Sequence, residues 1–324
     1  MMLMALPLVA LPLIALVFVA AGSAPQPPTT PDRDGAELRS DANPRDRSGR
    51  PVRPGKGYRF PNRETTGVPN GWEPRQTRGS DLTVTRPGTV VQDVRFTNGA
   101  DIVVKADNVT IRRVDMQGGT ITNQFGSVPE GCGRNMLVED STFEQIPGRF
   151  DPSDFPVIGE GGYTARRIEV AGRGEGPRMS DCGPVTLEDS FIGIRGAASA
   201  DDCGDVHSDG VQAVGGVGGT ARNNTIVFMN ECGTSPWFVV HPGPPPNNSG
   251  HYRIDGLLVA GGGYSFRQQL SASVTGLRIV HNSWVYGPLG EMDCSAISRW
   301  EAKLVTVDAD YRVARVVRKL RCRN

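Results

Sequence analysis

Apolar positions recur along the chain in short segments that share one order of residue types. Each has an apolar residue, two polar or small residues, then a Val, Ser, Asn, Ile or Leu, and a further apolar residue two positions on. The segments are 91–96, 111–116, 138–143, 165–170, 187–192, 221–226, 254–259 and 279–284. Their first residues lie 20, 27, 27, 22, 34, 33 and 25 positions apart, within or near the range of solenoid repeats. Since Val, Ile, Thr and Phe favour strands, the pattern predicts an all-β solenoid of stacked parallel strands.

The chain divides into three parts by composition. Residues 1–21 are almost wholly apolar and predict a signal peptide or a membrane anchor. Residues 22–56 are rich in Pro, Arg and Asp and predict a disordered linker, because they contain too few large apolar residues for a core. Residues 57–324 form the predicted strand domain, in which an N-terminal cap covers the first repeat and a β-hairpin around 308–310 closes the last.

Charge and cysteine content set the expected compartment and partners. The 35 basic and 35 acidic side chains cancel, which argues against nucleic acid as a partner. Six cysteines without a Cys-x-x-Cys pair favour disulfides in a secreted or extracellular protein, with the N-terminus as a tether to the membrane or cell envelope if it is retained. They are Cys132, Cys182, Cys203, Cys232, Cys294 and Cys322. We expect a Cys294–Cys322 bridge across the terminal hairpin, and a bridge from Cys203 to either Cys232 or Cys182.

The two longest repeats are consecutive, and their insertions carry the candidate chemistry. His207 and Asp209 stand two residues apart, which directs both to one side of an extended chain and suits proton transfer near neutral pH. A tight turn capped by Asp209 is the structural alternative. Asp201, Asp202 and Asp205 are candidate ligands of a calcium ion, or simply solvated loop acids.

Aromatic and basic residues around these insertions predict a carbohydrate-binding groove. Trp237 and Tyr264 are candidates to stack on sugar rings, and His241 is a candidate for a proton relay. Arg222 and Arg267 are candidates to pair with uronate carboxylates. Each has an ordinary alternative as a strand anchor or solvated side chain. Motifs of serine hydrolases, nucleotide-binding proteins and zinc proteases do not occur in the sequence.

These residues together resemble a known group of proteins. Residues 60–62 (Phe-Pro-Asn), 66–69 (Thr-Gly-Val-Pro), 108–113, 207–212 and 258–264 resemble secreted actinobacterial right-handed parallel β-helix repeat proteins of the pectate-lyase-like superfamily. The resemblance covers most of the chain from Phe60 and implies a single-stranded right-handed parallel β-helix. The string from His207 to Gln212 is similar to one in several polysaccharide lyases, which adds Gln212 to the substrate-binding candidates. The polygalacturonase and pectate-lyase patterns themselves are missing.

The resemblance implies an extracellular, monomeric protein that acts on an acidic polysaccharide. For a lyase, it implies His207 or Arg267 as the base, with Asp209 orienting His207 and the loop aspartates holding calcium. For a glycoside hydrolase, Asp202 and Asp209 are the pair to test as acid and base. The alternative from a different class is a non-catalytic protein that binds glycans or shapes the cell surface.

Overall fold

The computed structural model describes residues 54–128, 130–149, 155–196, 207–229, 233–242 and 250–324. Within them the chain is all-β, with one short 3-10 helix at Cys294–Ala296. The strands are β1 Gln76–Arg78, β2 Leu82–Val84, β3 Val90–Phe96, β4 Ile102–Val104, β5 Thr110–Gln117, β6 Ile121–Thr122, β7 Met136–Glu139, β8 Thr142–Glu144, β9 Ile158–Gly159, β10 Tyr163–Arg166, β11 Glu169–Arg173, β12 Val185–Glu188, β13 Phe191–Ile194, β14 Asp209–Val214, β15 Gly218–Phe228, β16 Ser235–Val240, β17 His251–Ala260, β18 Phe266–Gln268, β19 Ala272–Val280, β20 Ile297–Val307 and β21 Val313–Leu320. No helix long and apolar enough to span a bilayer occurs in this part of the chain.

The strands form three sheets in which neighbours run parallel. The largest sheet has fourteen strands and includes β3, β5, β15, β17, β19 and β20. Two smaller sheets have the orders β2-β4-β6-β9 and β14-β16-β18. The described strand pairs are parallel except for β20 and β21, which form the predicted C-terminal hairpin. This arrangement is compatible with a β-solenoid.

The predicted repeats pair in register for seven of the eight segments. Val91 lies beside Ile111, and the same position then follows through Val138 and Ala165. It continues through Leu187, Ala221 and Ile254 in the same way. The prediction that segment 279–284 is the eighth repeat is wrong, because Ile254 pairs with Val274 and not with Ile279. The repeat after Ile254 is therefore 20 residues long.

A corner residue with positive φ occupies the third position of each repeat. These residues are Asp93, Arg113, Asp140, Arg167, Asp189, Asn223, Gly256 and Gly276. Aspartate, asparagine and glycine tolerate this left-handed conformation best, whereas arginine is unusual there. The two corner arginines donate to the corner aspartates of the preceding repeats, with Nε–Oδ1 distances of 2.7 Å for Arg113–Asp93 and 2.8 Å for Arg167–Asp140. Ion pairs thus join the corners of successive repeats at two steps of the stack.

In three repeats the residue after the corner is polar, and its side chain bonds a neighbouring repeat in the interior. Ser141 and Ser190 accept hydrogen bonds from Val114 N and Ile168 N at 3.1 and 3.2 Å. Asn224, fully buried, accepts from Ser190 N at 3.0 Å and donates to Leu187 O at 2.9 Å. The polar residues of the repeat therefore satisfy buried backbone groups that a plain β-ladder leaves unpaired.

Replacing Asn224 with alanine should lower the free energy of unfolding by about 2–3 kcal/mol, because Ser190 N and Leu187 O lose their partners in the interior. Asn224→Ser is the matched control. Serine at this position would accept from Ser190 N, as Ser190 itself accepts from Ile168 N, and should recover part of the loss. Urea denaturation of both variants tests the ladder, and equal stability of the alanine variant and the wild type would contradict it.

The core is one large cluster that draws on all three sheets. Ile102, Ile111 and Trp237, one from each sheet, are fully buried in it. A second, smaller cluster contains Phe60, which packs with Val305 of the terminal hairpin. The N-terminal segment therefore contributes to the interior and not only to one end.

Residues 54–72, called here the strap, run along the repeats from the last to the first. Its contacts in chain order are Pro54–Arg278, Tyr58–Asn223, Pro61–Thr225, Gly67–Arg167 and Trp72–Asp93. This corrects the prediction of a cap over the first repeat. Phe60 packs into the smaller apolar cluster, and carbonyl groups of the strap accept hydrogen bonds from several repeats. These contacts hold the segment along the stack and not across its end.

Two disulfides lie within the described residues. Cys294–Cys322 joins the start of the terminal hairpin to the chain after β21, as predicted. Cys132 is bonded to Cys182, so the alternative Cys182–Cys203 bridge is wrong. Cys203 and Cys232 lie outside the described residues. The two bridges are consistent with an extracellular protein.

Candidate functional site

Side chains from neighbouring strands form one row across the sheet of β14, β16 and β18. Successive partners in register are Arg178, Gln212, Phe238, Arg267 and Gly290. The residues that alternate with them, such as Val211 and Val239, belong to the core, so the row lies on the opposite face. Four steps of about 4.8 Å give the row a length of roughly 19 Å. The row is long enough to bind an extended chain.

The structure brings His207 and Asp209 together beside this row. His207 Nδ1 lies 3.3 Å from Asp209 Oδ2. Half of the His207 side chain is exposed, whereas Asp209 is fully buried at the start of β14. This contact agrees with the same-side geometry expected from their spacing. It leaves Nε2 as the ring nitrogen available to a substrate.

Asp209 is held in an environment that favours its neutral form. Burial raises the pKa of Asp209 to about 7, against the opposing effects of a hydrogen bond from Gln212 and the charges of Arg267 and Arg178. The Gln212 bond measures 3.2 Å from Nε2 to Oδ2. Oδ1 of Asp209 is buried without a hydrogen-bond partner. A carboxyl group that titrates near neutral pH beside a histidine is typical of proton-transfer sites.

Glu175 is a third member of the group that the sequence analysis missed. Its Oε1 accepts a hydrogen bond from Asp209 N at 3.2 Å and lies 4.0 Å from His207 Nδ1. The neighbouring Gly176 packs so closely that a Cβ there would lie 1.7 Å from Gly210 O. A glutamate between two glycines, Gly174 and Gly176, is the sequence signal that could have indicated this approach.

Glu175, His207 and Asp209 could together hold a metal ion. One ligand atom from each lies within 4.8 Å of the others. Two carboxylates and an imidazole suit zinc or manganese better than calcium, which prefers oxygen ligands. The predicted calcium ligands Asp201, Asp202 and Asp205 lie outside the described residues.

Arg267 is the fourth residue of the row and lies between two aromatic rings. Its guanidinium carbon lies 5.3 Å from the centre of the Phe238 ring and 5.0 Å from that of Tyr264. Its Nη1 is 3.1 Å from Glu291 Oε1. The His207 ring meets the Phe238 ring edge-on, with 5.4 Å between centres. Phe238, another residue the sequence analysis missed, therefore separates the histidine from the arginine.

Three predicted binding residues lie away from the row and from Tyr264 beside it. Trp237 points into the core, where its ring stacks on Phe266 and its Nε1 donates to Gln268, so it cannot stack on a sugar. Arg222 lies in the large sheet and pairs with Glu188 at 2.9 Å. The prediction for Trp237 is wrong, whereas Arg222 stays a prediction on a different sheet from the row.

His241 is also misplaced as a relay partner. It follows the end of β16, and its backbone N donates to Gln269 Oε1 at 2.9 Å. Its Nδ1 is buried without a partner, and no contact joins it to His207 in the described part of the chain. The structure therefore keeps His207, Asp209, Gln212, Tyr264 and Arg267 of the predicted set within one region.

The group can position a base beside a cation on an accessible face. His207 presents a ring nitrogen, and Arg267 and Arg178 provide positive charge along the same row. The carboxylates of Glu175 and Asp209 are buried, so they are better placed to orient His207 than to attack a substrate directly. The chain matches no protein-family model, no curated protein and no solved structure.

Proposed function

We propose that this protein is a secreted right-handed parallel β-helix of the pectate-lyase-like kind that cleaves an acidic polysaccharide by β-elimination. The observation that carries the proposal is the contact of half-exposed His207 with buried Asp209 beside the row that contains Arg267. The parallel register of seven repeats and the two disulfides support the fold and the compartment. We expect the protein to act as a monomer.

β-Elimination needs a base, a group that neutralises the uronate carboxylate, and a route for the leaving oxygen. His207 Nε2 takes the proton from C5 of the sugar, since ionised Asp209 holds the proton of the imidazole on Nδ1. Arg267 pairs with the uronate carboxylate and stabilises the charge that develops as the C5 proton leaves, while Arg178 adds positive charge three strand positions away along the row. The C5–H electrons form the C4–C5 double bond, the C4–O bond breaks, and the leaving oxygen takes a proton from water.

Among the described residues a hydrolase is less well supported by the geometry, and Asp202 of the predicted pair lies outside them. Hydrolysis requires two carboxyl groups that reach opposite faces of the glycosidic bond. Glu175 and Asp209 are almost completely excluded from solvent, with 1% and 0% of their side chains exposed. They are placed to orient His207, which favours the lyase over the hydrolase.

The full-length protein should release unsaturated products from at least one polyuronate, detected by the ultraviolet absorbance of the new double bond. His207→Ala should lower the rate by a factor of about 10² or more, because it removes the base. His251→Ala is the matched control, since His251 is exposed on the large sheet and, among the described residues, its side chain bonds Ser271. The reaction is run with and without a chelator to test the metal-binding group.

Two outcomes would redirect the assignment. Reducing ends without ultraviolet absorbance would indicate a hydrolase and contradict β-elimination. Binding of polyuronate without any cleavage, unaffected by His207→Ala, would favour the non-catalytic glycan-binding alternative.

A further inference from the structure

The end of the chain is strongly basic although the whole chain is electrically balanced. Residues 311–324 contain six basic side chains and no acidic one, against 35 of each in the full sequence. They form β21 and the short tail that follows it. Four of them, Arg318, Lys319, Arg321 and Arg323, line one cavity. We call these four residues the basic edge.

The cavity beside the basic edge continues the row of the candidate site. It has a volume of about 540 Å³, and its opposite wall contains Tyr264, Gly290 and Glu291. Gly290 is the strand partner of Arg267, and the Tyr264 ring lies 5.0 Å from the Arg267 guanidinium. A chain bound along the row and past Arg267 would enter this cavity next.

No described residue compensates the positive charges of the basic edge. None of its four side chains forms an ion pair with any described residue. Glu291, the one acidic residue among those that line the cavity, is already paired with Arg267. Lys319 also lies directly opposite Lys303 across the hairpin, and like charges in that position destabilise a sheet. An anionic ligand would relieve this repulsion.

The backbone that carries the basic edge is fixed at several points. The Cys294–Cys322 disulfide lies between Arg321 and Arg323 in the sequence. Asn324 Oδ1 accepts from Cys294 N at 2.9 Å, and Trp300 Nε1 donates to Leu320 O at 2.8 Å. A ligand that binds here therefore does not pay to order the backbone. Basic side chains on a fixed backbone are better suited to recognise an anionic ligand than those of a free basic tail.

We propose that the basic edge and its cavity form a second binding region for the anionic groups of a polysaccharide, carboxylate or sulfate, that extends from Arg267 to the end of the chain. The proposal deepens the proposed function, because it assigns the substrate a high density of negative charge. It stands on its own as a binding site, since the cavity and its charges do not depend on cleavage.

The test compares two double charge reversals in the full-length protein with the His207→Ala background, so that the polymer stays intact. Arg318→Glu with Arg321→Glu should weaken binding of a polyuronate about tenfold or more and reduce its dependence on salt, because two attractive charges become repulsive. Arg86→Glu with Lys105→Glu is the matched control. These two exposed residues change the net charge equally near the first repeats, and affinity should stay within about twofold of the parent.

Three polymers of different chemistry distinguish the ligand classes: a polyuronate, a sulfated glycan and a single-stranded oligodeoxynucleotide. A preference for either glycan over the oligonucleotide supports the proposal and identifies the anionic group. Equal binding of all three, or equal weakening in both double variants, would overturn it. Arg318→Gln with Arg321→Gln, which removes charge without adding repulsion, decides the matter if the charge reversal prevents folding, with an expected loss of about threefold.

Failure of this proposal is separable from failure of the lyase assignment. If the unmodified protein cleaves no polymer but the reversal at the basic edge weakens binding, the second region stands and the enzyme assignment fails. If the unmodified protein cleaves polyuronate while the reversal leaves binding unchanged, the basic edge plays no part and the enzyme assignment stands.

Discussion

Asp209→Asn should lower the rate of polyuronate cleavage by a factor of about 10² or more at neutral to mildly alkaline pH. Asp209 Oδ2 lies 3.3 Å from His207 Nδ1, so the ionised carboxylate holds the tautomer that leaves Nε2 free to take a proton. Asparagine keeps the size of the side chain but cannot supply the negative charge. Steady-state kinetics should show the loss in kcat, with little change in KM, because Asp209 is buried and does not touch the substrate.

The pH profile of activity distinguishes a role of Asp209 in orienting His207 from a purely structural role, which would not change the profile. Because burial raises the pKa of Asp209 to about 7, wild-type activity should increase as the pH rises through that value. The groups that face Asp209 are His207, Glu175 and Gln212 by contact, and Arg267 and Arg178 by charge. The asparagine variant should lack the increase near pH 7, and an unchanged profile would contradict the role of Asp209.

Asp209→Asn should lower activity but raise the free energy of unfolding above neutral pH. Unfolded, the Asp209 carboxyl loses its proton near its ordinary pKa of 3.8, whereas the folded protein retains it to about pH 7. The folded state therefore binds more protons between these values, and the free energy of unfolding falls as the pH rises through them. At 1.36 kcal/mol per pKa unit, the loss is at most about 4 kcal/mol.

Asp209→Asn avoids this loss, so relative to the wild type it should be more stable at about pH 8 than at about pH 4.5 in urea denaturation. Asp293→Asn is the contrasting control, because a hydrogen bond from Ser295 lowers the pKa of Asp293 and the sign is reversed. A stability difference between wild type and Asp209→Asn that does not change with pH would rule out the buried, titrating carboxyl.

The repeat could be predicted from the sequence because each segment carries both an apolar pattern and a corner signal. The prediction of the last repeat was wrong because its apolar pattern is not accompanied by a polar corner residue. The true last corner is Gly276, which, like Gly256 before it, lacks the polar side chain of the first six corners. Asn282, which lies in the segment predicted instead, also has positive φ, so it resembles a corner although it lies beyond the strand.

The site was predictable only where its residues are close in sequence. His207 and Asp209 follow from a spacing of two, whereas Glu175 reaches Asp209 from the preceding repeat, 34 residues away. Trp237 was misplaced because its strand is apolar at successive positions from Pro236 to Val240, so alternation did not show which face is inside. The pairing of β16 with β14 and β18 decides which of its side chains face the core, and the sequence alone does not fix that pairing.

The strap changes the account of how this fold is stabilised, since one segment contacts repeats along most of the stack. In a solenoid each repeat contacts mainly its neighbours, so stability is close to a sum of local terms. A strap that bonds Arg278 at one end and Asp93 at the other couples distant repeats. Undocking it should therefore destabilise several repeats together.

Arg278→Ala should lower the free energy of unfolding by about 3–5 kcal/mol, the loss expected when a buried charged network is broken. Arg278 is completely buried, donates to Pro54 O of the strap and to Leu277 O, and lies 3.5 Å from Glu301. Removing it takes away the buried donor to Pro54 O and so releases the strap from the last repeats. Urea denaturation measures the loss, and limited proteolysis should show faster cleavage within residues 54–72.

Arg63→Ala is the matched control on the same strap. Arg63 pairs with Glu169 at 2.8 Å but is 55% exposed, so its loss should cost no more than about 1 kcal/mol. Equal effects of the two substitutions would show that the strap is held by many weak contacts and not by Arg278. A large effect confined to Arg278→Ala, with faster proteolysis of the strap, would establish that one buried guanidinium at the end of the stack fixes the segment that spans it.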